Sequence, residues 1–194
     1  MSYTNAALNL HHHDAFEEHA IDTIHTLLLN DGVMPMTFQC ETSDNKQLLI
    51  LYFMSEQAGI ENKINIVRAM MLLHNVERYI FASETLIPSK QGLNPYEDEN
   101  AKDGLVFFHA DKHGLKKATQ YFISRKNNII ELTDKTESES LKTNTELDLL
   151  LAGPKVTAIQ LKELEMIVST LPPNYPVKVF ENSSKINHQA HVFN

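Results

Sequence analysis

Residues Val76–Ile87 read VERYIFASETLI. In the middle of this stretch, Tyr79-Ile80-Phe81-Ala82 is apolar on both sides of the two-residue strand alternation. A strand apolar on both faces belongs inside a sheet, covered above and below, rather than at a wet edge. Pro88 ends the run, because proline has no N–H to give to a ladder. Once this stretch is taken as a central strand, its neighbours fall into place on either side.

Upstream, Pro35–Thr42 alternates, with Met36, Phe38 and Cys40 on one face and Thr37, Gln39 and Glu41 on the other. Ser43-Asp44-Asn45 is a turn signal and Lys46–Met54 is a strongly apolar strand, so the two form a hairpin. Between that hairpin and the central strand, Glu56–Asn75 reads as a helix. Ile60, Ile64, Val67, Met71 and His74 make its stripe, and Ile66, Met70 and Leu73 widen it. The paired Met70 and Met71 are read as core rather than as an adaptable interface. A first helix over residues 14–31 carries Phe16, Ala20, Ile24, Leu27 and Leu28 on one stripe. Asp14, Glu17 and Glu18 suit the positive end of its dipole, and Asn30-Asp31-Gly32 stops it.

Downstream comes a polar loop over 89–103, of the length that is often functional. Leu105–Ala110, Lys117–Arg125 and Ile129–Thr133 follow as strands joined by short turns. The order α-β-β-α-β-β-β-β predicts an α+β fold with a mainly antiparallel sheet and its helices on one face. The predicted core domain spans 1–133, with a polar linker at 134–145. A helix-strand appendage occupies 146–181, and 182–194 is a tail. In the appendage, Glu146–Ala152 is a short helix and Thr157–Leu171 a longer one, with Leu164, Ile167, Val168 and Leu171 on its apolar face. Val177–Phe180 is a strand.

Two stretches carry a resemblance. Residues 14–132 resemble a group of small, uncharacterised bacterial and phage α+β proteins. Their pattern is a helix ending in Asp-Gly, a Pro-led hairpin, a helix, and a strand ending in a Ser-Glu pair. Here these are Asp31-Gly32, Pro35 and Ser83-Glu84-Thr85-Leu86; Leu86 stands where the group usually has an aromatic residue. Residues 154–181, with a Thr157-capped helix, Leu171-Pro172 and Pro176-Val177, are similar to a second pattern common in such proteins. The resemblance implies a fold and a gene neighbourhood rather than a reaction, and the overall expectation includes a phage or mobile-element origin.

Composition narrows the function further. The 194 residues carry 25 acids and 17 bases, a net charge of −8. Residues 1–45 contain seven acids, no Lys or Arg, and five of the ten histidines, so the rest of the chain is nearly neutral. Below pH about 6.5, charging of those five histidines would move that segment from −7 toward −2. An acidic chain is a poor general nucleic-acid binder. No apolar run reaches 18 residues and the N-terminus has no secretory pattern, so neither a membrane span nor a signal is expected. Cys40 is the only cysteine, which points to a reducing cytoplasm. On the apolar face with Phe38 it reads as a small buried hydrophobe rather than a nucleophile. With no Gly-rich loop, no Gly-x-Ser-x-Gly and no Cys-x-x-Cys, no cofactor is expected.

Three clusters could carry chemistry. Glu18, Asp22 and His25, at i, i+4 and i+7 and extended by Asp14 or His11, share a helix face that could offer carboxylates and an imidazole to a metal. A solvated acidic face is the preferred reading. Glu84, His109, Asp111 and His113 could hold a zinc ion for a metal-dependent hydrolase. Asp111-Lys112-His113-Gly114 is adequately explained as turn chemistry, which is the preferred reading. Lys112, Lys116, Lys117, Arg125 and Lys126 group around one hairpin and could touch phosphate, but a solvated hairpin explains them. The expectation is a cytoplasmic, non-enzymatic interaction or accessory protein with a basic protein partner. Its contact residues would be Asp14, Glu18, Asp22 and His25 on the helix and Glu97, Asp98 and Glu99 in the loop. The alternatives are the hydrolase and a structural subunit docked through 146–181, and a homo-oligomer stays open.

Overall fold

The computed structural model describes residues 15–31, 34–53, 60–90, 93–126, 129–138, 149–153 and 155–181. Asp14, the His11–His13 run, most of the expected linker and the tail 182–194 lie outside the described residues. The elements are α1 (Ala15–Asp31), β1 (Met36–Thr42), β2 (Gln47–Tyr52), α2 (Ile60–Leu73), β3 (Val76–Ile87), β4 (Lys102–Asp111), β5 (Gly114–Lys126), β6 (Ile129–Ser138), α3 (Leu149–Ala152), α4 (Ala158–Ser169) and β7 (Val177–Glu181). The fold is α+β, with all seven strands in one sheet of order β6-β5-β4-β3-β1-β2-β7 and every neighbouring pair antiparallel. β3 holds the middle place, as its two apolar faces require.

One rung crosses the whole sheet. Val179 lies opposite Ile50, Ile50 opposite Phe38, Phe38 opposite Phe81, Phe81 opposite Phe108, Phe108 opposite Ala118, and Ala118 opposite Ser138. The Phe38 and Phe81 rings sit 4.8 Å apart and the Phe81 and Phe108 rings 5.9 Å apart. Such cross-strand aromatic pairs hold register as well as bury area. Together with Cys40, Tyr52 and Tyr79 they form the face that α2 covers through Ile64, Val67, Met70 and Met71.

The helices do not share one face. Phe16, Ala20, Ile21, Ile24 and Leu28 of α1 pack on Ile80, Ala82, Leu105, Phe107, Tyr121 and Ile123, which point the opposite way from Phe81 and Phe108. Leu27 meets Leu49 and Leu51 on that same side. α1 therefore covers one face, and α2 with α3 and α4 the other. The physical reason is the alternation itself: strands apolar on both faces need cover on both.

Segment ends differ where polar residues continue a strand. β6 runs through Ser138, past the expected boundary at 133, and β4 starts at Lys102 inside the expected loop. The C-terminal segment joins the same sheet, with β7 paired along β2 from Leu48–Glu181 to Tyr52–Val177. Leu150 of α3 and Val168 and Leu171, at the end of α4 and just past it, pack at the α2-side core. Thr157 caps α4 in a reciprocal box with Gln160. Asn75 takes a left-handed conformation (φ 52°) just past α2, and its carbonyl accepts the Ser43 N–H of the first hairpin at 2.9 Å.

Gly104 marks a close approach in the sheet. A Cβ there would collide with the Ile87 side chain, within 2.5 Å of its Cγ1, and lie 3.2 Å from the Tyr121 carbonyl oxygen. Gly104→Ala is expected to lower stability by about 1–3 kcal/mol through this overpacking. Pairing it with Ile87→Ala should recover part of the loss, as a double-mutant cycle in urea would measure.

Candidate functional site

The first turn of α1 is tied to the sheet by charge. Glu17 Oε2 accepts from Lys117 Nζ at 2.9 Å, and Glu17 Oε1 lies 3.2 Å from Nδ1 of the buried His109. His109 and Lys117 are direct cross-strand partners on β4 and β5. Phe16 sits under the Arg78 guanidinium, 4.6 Å from its ring centre, while Arg78 Nε donates to Glu41 Oε2 at 2.5 Å. The start of α1 is thus held by the Glu17–Lys117 ion pair, by the approach of Glu17 to His109 and by the Phe16–Arg78 contact, and Glu17 is committed to the fold. This residue was not among the expected contact residues; only a cross-element view distinguishes it from Glu18.

The expected metal set does not assemble. Glu84 pairs with Leu105 whereas His109 pairs with Ile80, four positions away along β3, or about 13 Å of strand. Glu84 is already engaged: Oε1 accepts the Met34 N–H at 2.6 Å and Oε2 meets Arg125 Nη2 at 2.5 Å. Asp111 serves the β4–β5 turn, accepting the His113 N–H at 2.6 Å, and it faces Lys116 at 3.4 Å. His113 is exposed in the turn. Among the described residues, no group of three or more His, Cys, Asp or Glu could hold a metal ion. That holds for Glu18, Asp22 and His25 too. Glu18 and Asp22 are exposed, while His25 is half-buried, and burial lowers its pKa against the raising effect of Asp22. Cys40 is fully buried, and burial pushes its thiol far above the ordinary value, which suits a core residue.

Four bases of the hairpin group are paired in place, and the Lys126 side chain lies outside the described residues. Lys112 meets Glu77 at 2.9 Å, Lys116 meets Asp111, Lys117 meets Glu17, and Arg125 meets both Glu84 and Asp103. A phosphate backbone would have to compete with a carboxylate at each of these bases.

The acidic loop is built differently. Asp98 turns inward on its own backbone, with Oδ2 accepting the Ser89 N–H at 2.6 Å and Oδ1 the Asn100 N–H at 2.9 Å. These bonds hold the Asp98 carboxyl below its ordinary value, the Ser89 bond foremost. Asn94 Oδ1 accepts the Tyr96 N–H at 3.1 Å, and the Glu97 N–H donates to the Asn94 carbonyl at 3.0 Å. The result is an ordered turn that exposes Glu97 and Glu99 and leaves Tyr96 84% exposed, with Leu93 close by in sequence and also exposed. Of the three expected loop acids, two face solvent and Asp98 is the brace. A lone aromatic in an otherwise polar loop was the available sequence signal for Tyr96.

The chain matches no protein-family model, no curated protein and no solved structure. No described helix is long and apolar enough to cross a membrane.

Two outcomes follow from the α1 contacts. Glu17→Gln should cost about 1–3 kcal/mol, because it leaves a half-buried Lys117 without its carboxylate. Glu18→Gln should stay within about 0.5 kcal/mol, and urea titration separates the two. The depressed His25 value means that below pH 6.5 the unfolded chain takes up this proton before the folded one does. Stability should fall as pH drops through that region. In His25→Gln the fall between pH 7.5 and 5.5 should be smaller.

Proposed function

We propose that this chain is a non-enzymatic interaction or accessory protein that offers an acidic surface to a basic protein partner, with the loop over 93–99 as the centre of contact. The observation carrying this reading is Tyr96, an 84% exposed aromatic flanked by the exposed Glu97 and Glu99 on a turn braced by Asp98. Tyrosine is enriched at the energetic centres of interfaces, where its ring buries area and its hydroxyl still finds a partner. A loop whose backbone is already ordered gives up little conformational entropy on binding. The exposed carboxylates of the same loop would steer a basic partner and set the register. Glu18 and Asp22 on α1 add to the acidic surface, whereas Glu17 is engaged by Lys117 and His109. A reducing cytoplasmic setting is in keeping with Cys40 as the single, buried cysteine.

The test is affinity capture from source cells with the wild-type chain and three variants. The expected result is a retained basic protein that elutes as salt rises to about 0.5 M, where the Debye length shrinks below the reach of these charges. Tyr96→Ala, and Glu97→Lys with Glu99→Lys, should each weaken retention roughly ten-fold or more. Glu18→Lys with Asp22→Lys should weaken it less. Retention indifferent to both salt and the loop changes would sink the proposal.

A further inference from the structure

The chain beyond α3 is attached more lightly than the core it rests on. α3 itself is pinned: Leu150 is 1% exposed, and its carbonyl accepts from Arg68 Nε of α2 at 3.3 Å. From Lys155 to Glu181, Val177 is the one buried residue, and α4 has none. The inward side of α4, with Leu161, Leu164 and Val168, is half-buried. Ile167, expected on that side, is 48% exposed. In β7, Val179 and Phe180 are also half-buried. The strand that β7 lies on is different, since β2 is buried at every position from Leu48 to Tyr52.

The hydrogen bonds divide in the same way. Within the segment, Thr157 and Gln160 cap α4 reciprocally, and the Leu171 N–H donates to the Val168 carbonyl at 3.2 Å. The Tyr175 N–H donates to the Pro172 carbonyl at 2.9 Å, and the Lys178 ammonium to the Pro173 carbonyl. The segment is tied to the sheet along one line. That line is the β2–β7 ladder from Leu48–Glu181 to Tyr52–Val177, extended by the Phe53 N–H, which donates to the Pro176 carbonyl at 2.7 Å. A segment with little buried area and mostly local bonds opens at a lower free energy than the core beneath it. Once that ladder parts, α4 keeps only half-buried contacts with α2. A detached helix of its length is marginal in water, so α4 and β7 leave together. From this arrangement we propose that residues 155–181 form a strap that opens as one unit while the other six strands, α1, α2 and α3 stay folded. The strap thereby controls access to β2 and to the side of α2 beneath α4. The proposal is independent of the loop over 93–99, which belongs to a different part of the chain.

The experiment is native-state hydrogen exchange on the full chain, followed amide by amide across a series of low urea concentrations. The Phe53 amide, the β2 amides bonded to β7 and the α4 amides should exchange at least about 100-fold faster than those of Tyr79–Phe81 in β3. They should also share one urea dependence, shallower than that of β3, because less surface is exposed. Two substitutions distinguish a unit from a frayed end. Ile80→Val lies in the part that stays folded, so it should speed β3 exchange roughly two- to ten-fold and leave Phe53 and α4 unchanged. Val177→Ala removes a contact that is lost in both the partial and the complete opening. It should therefore speed the strap and β3 alike, by about ten-fold. A Phe53 amide as protected as β3 overturns the proposal, since then only the helix frays. So does an Ile80→Val change that speeds Phe53 and β3 equally, since the chain would then open only as a whole.

Discussion

A strand that is apolar on both faces cannot be satisfied by one layer of cover, and β3 imposes that condition on everything around it. Phe81 needs neighbours on one side and Ile80 and Ala82 on the other. Phe38 and Phe108 supply the flanking rings on the first side, which fixes the registers of β1 and β4 against β3. α2 then closes that side and α1 the other. Because β1 sits between β2 and β3, α2 must carry the chain over β1 to reach β3. The hairpin, the crossover and the position of α1 are thus consequences of burying one twelve-residue strand twice over.

Most of this sheet can be read from residue order, because alternation and turn residues are local. The hairpin at Ser43-Asp44-Asn45 and the β4–β5 turn at Asp111 are each written within a few positions. The face that each helix covers is not local. Periodicity shows that Phe16, Ile24 and Leu28 share a stripe, but only tertiary packing decides which side of the sheet receives them. The extent of β6 is hidden for a related reason: an edge strand keeps its ladder while Asp134–Ser138 show no apolar alternation. The β2–β7 pairing joins positions more than a hundred residues apart, and no spacing rule reaches that far. Of the candidate site, the loop acids were legible as charges. Their division into a brace, Asp98, and a display, Glu97 and Glu99, depends on where the Ser89 and Asn100 amides lie.

The charge distribution is also reshaped by the fold. The acids of the first 45 residues look like one block along the chain, yet Glu17 and Glu41 are answered by Lys117 and Arg78 from distant strands. Lys112, Lys116, Lys117 and Arg125 of the β4–β5 hairpin are answered in the same way, by Glu77, Asp111, Glu17 and Glu84. Much of the chain's charge is spent inside such pairs. What remains for the outside among the described residues includes Glu18 and Asp22 on the helix and Glu97 and Glu99 on the loop.

The place of β7 beside β2 has a consequence for how the molecule is assembled in time. A ribosome delivers β2 long before it delivers β7. Until β7 arrives, β2 presents a free row of amides and carbonyls along Leu48–Tyr52, whose side chains are apolar on both sides. An open hydrophobic edge of this kind is a template for pairing with another chain. β7 is short, but it acts as a seal, and loss of its pairing would expose an apolar edge prone to pairing with another chain.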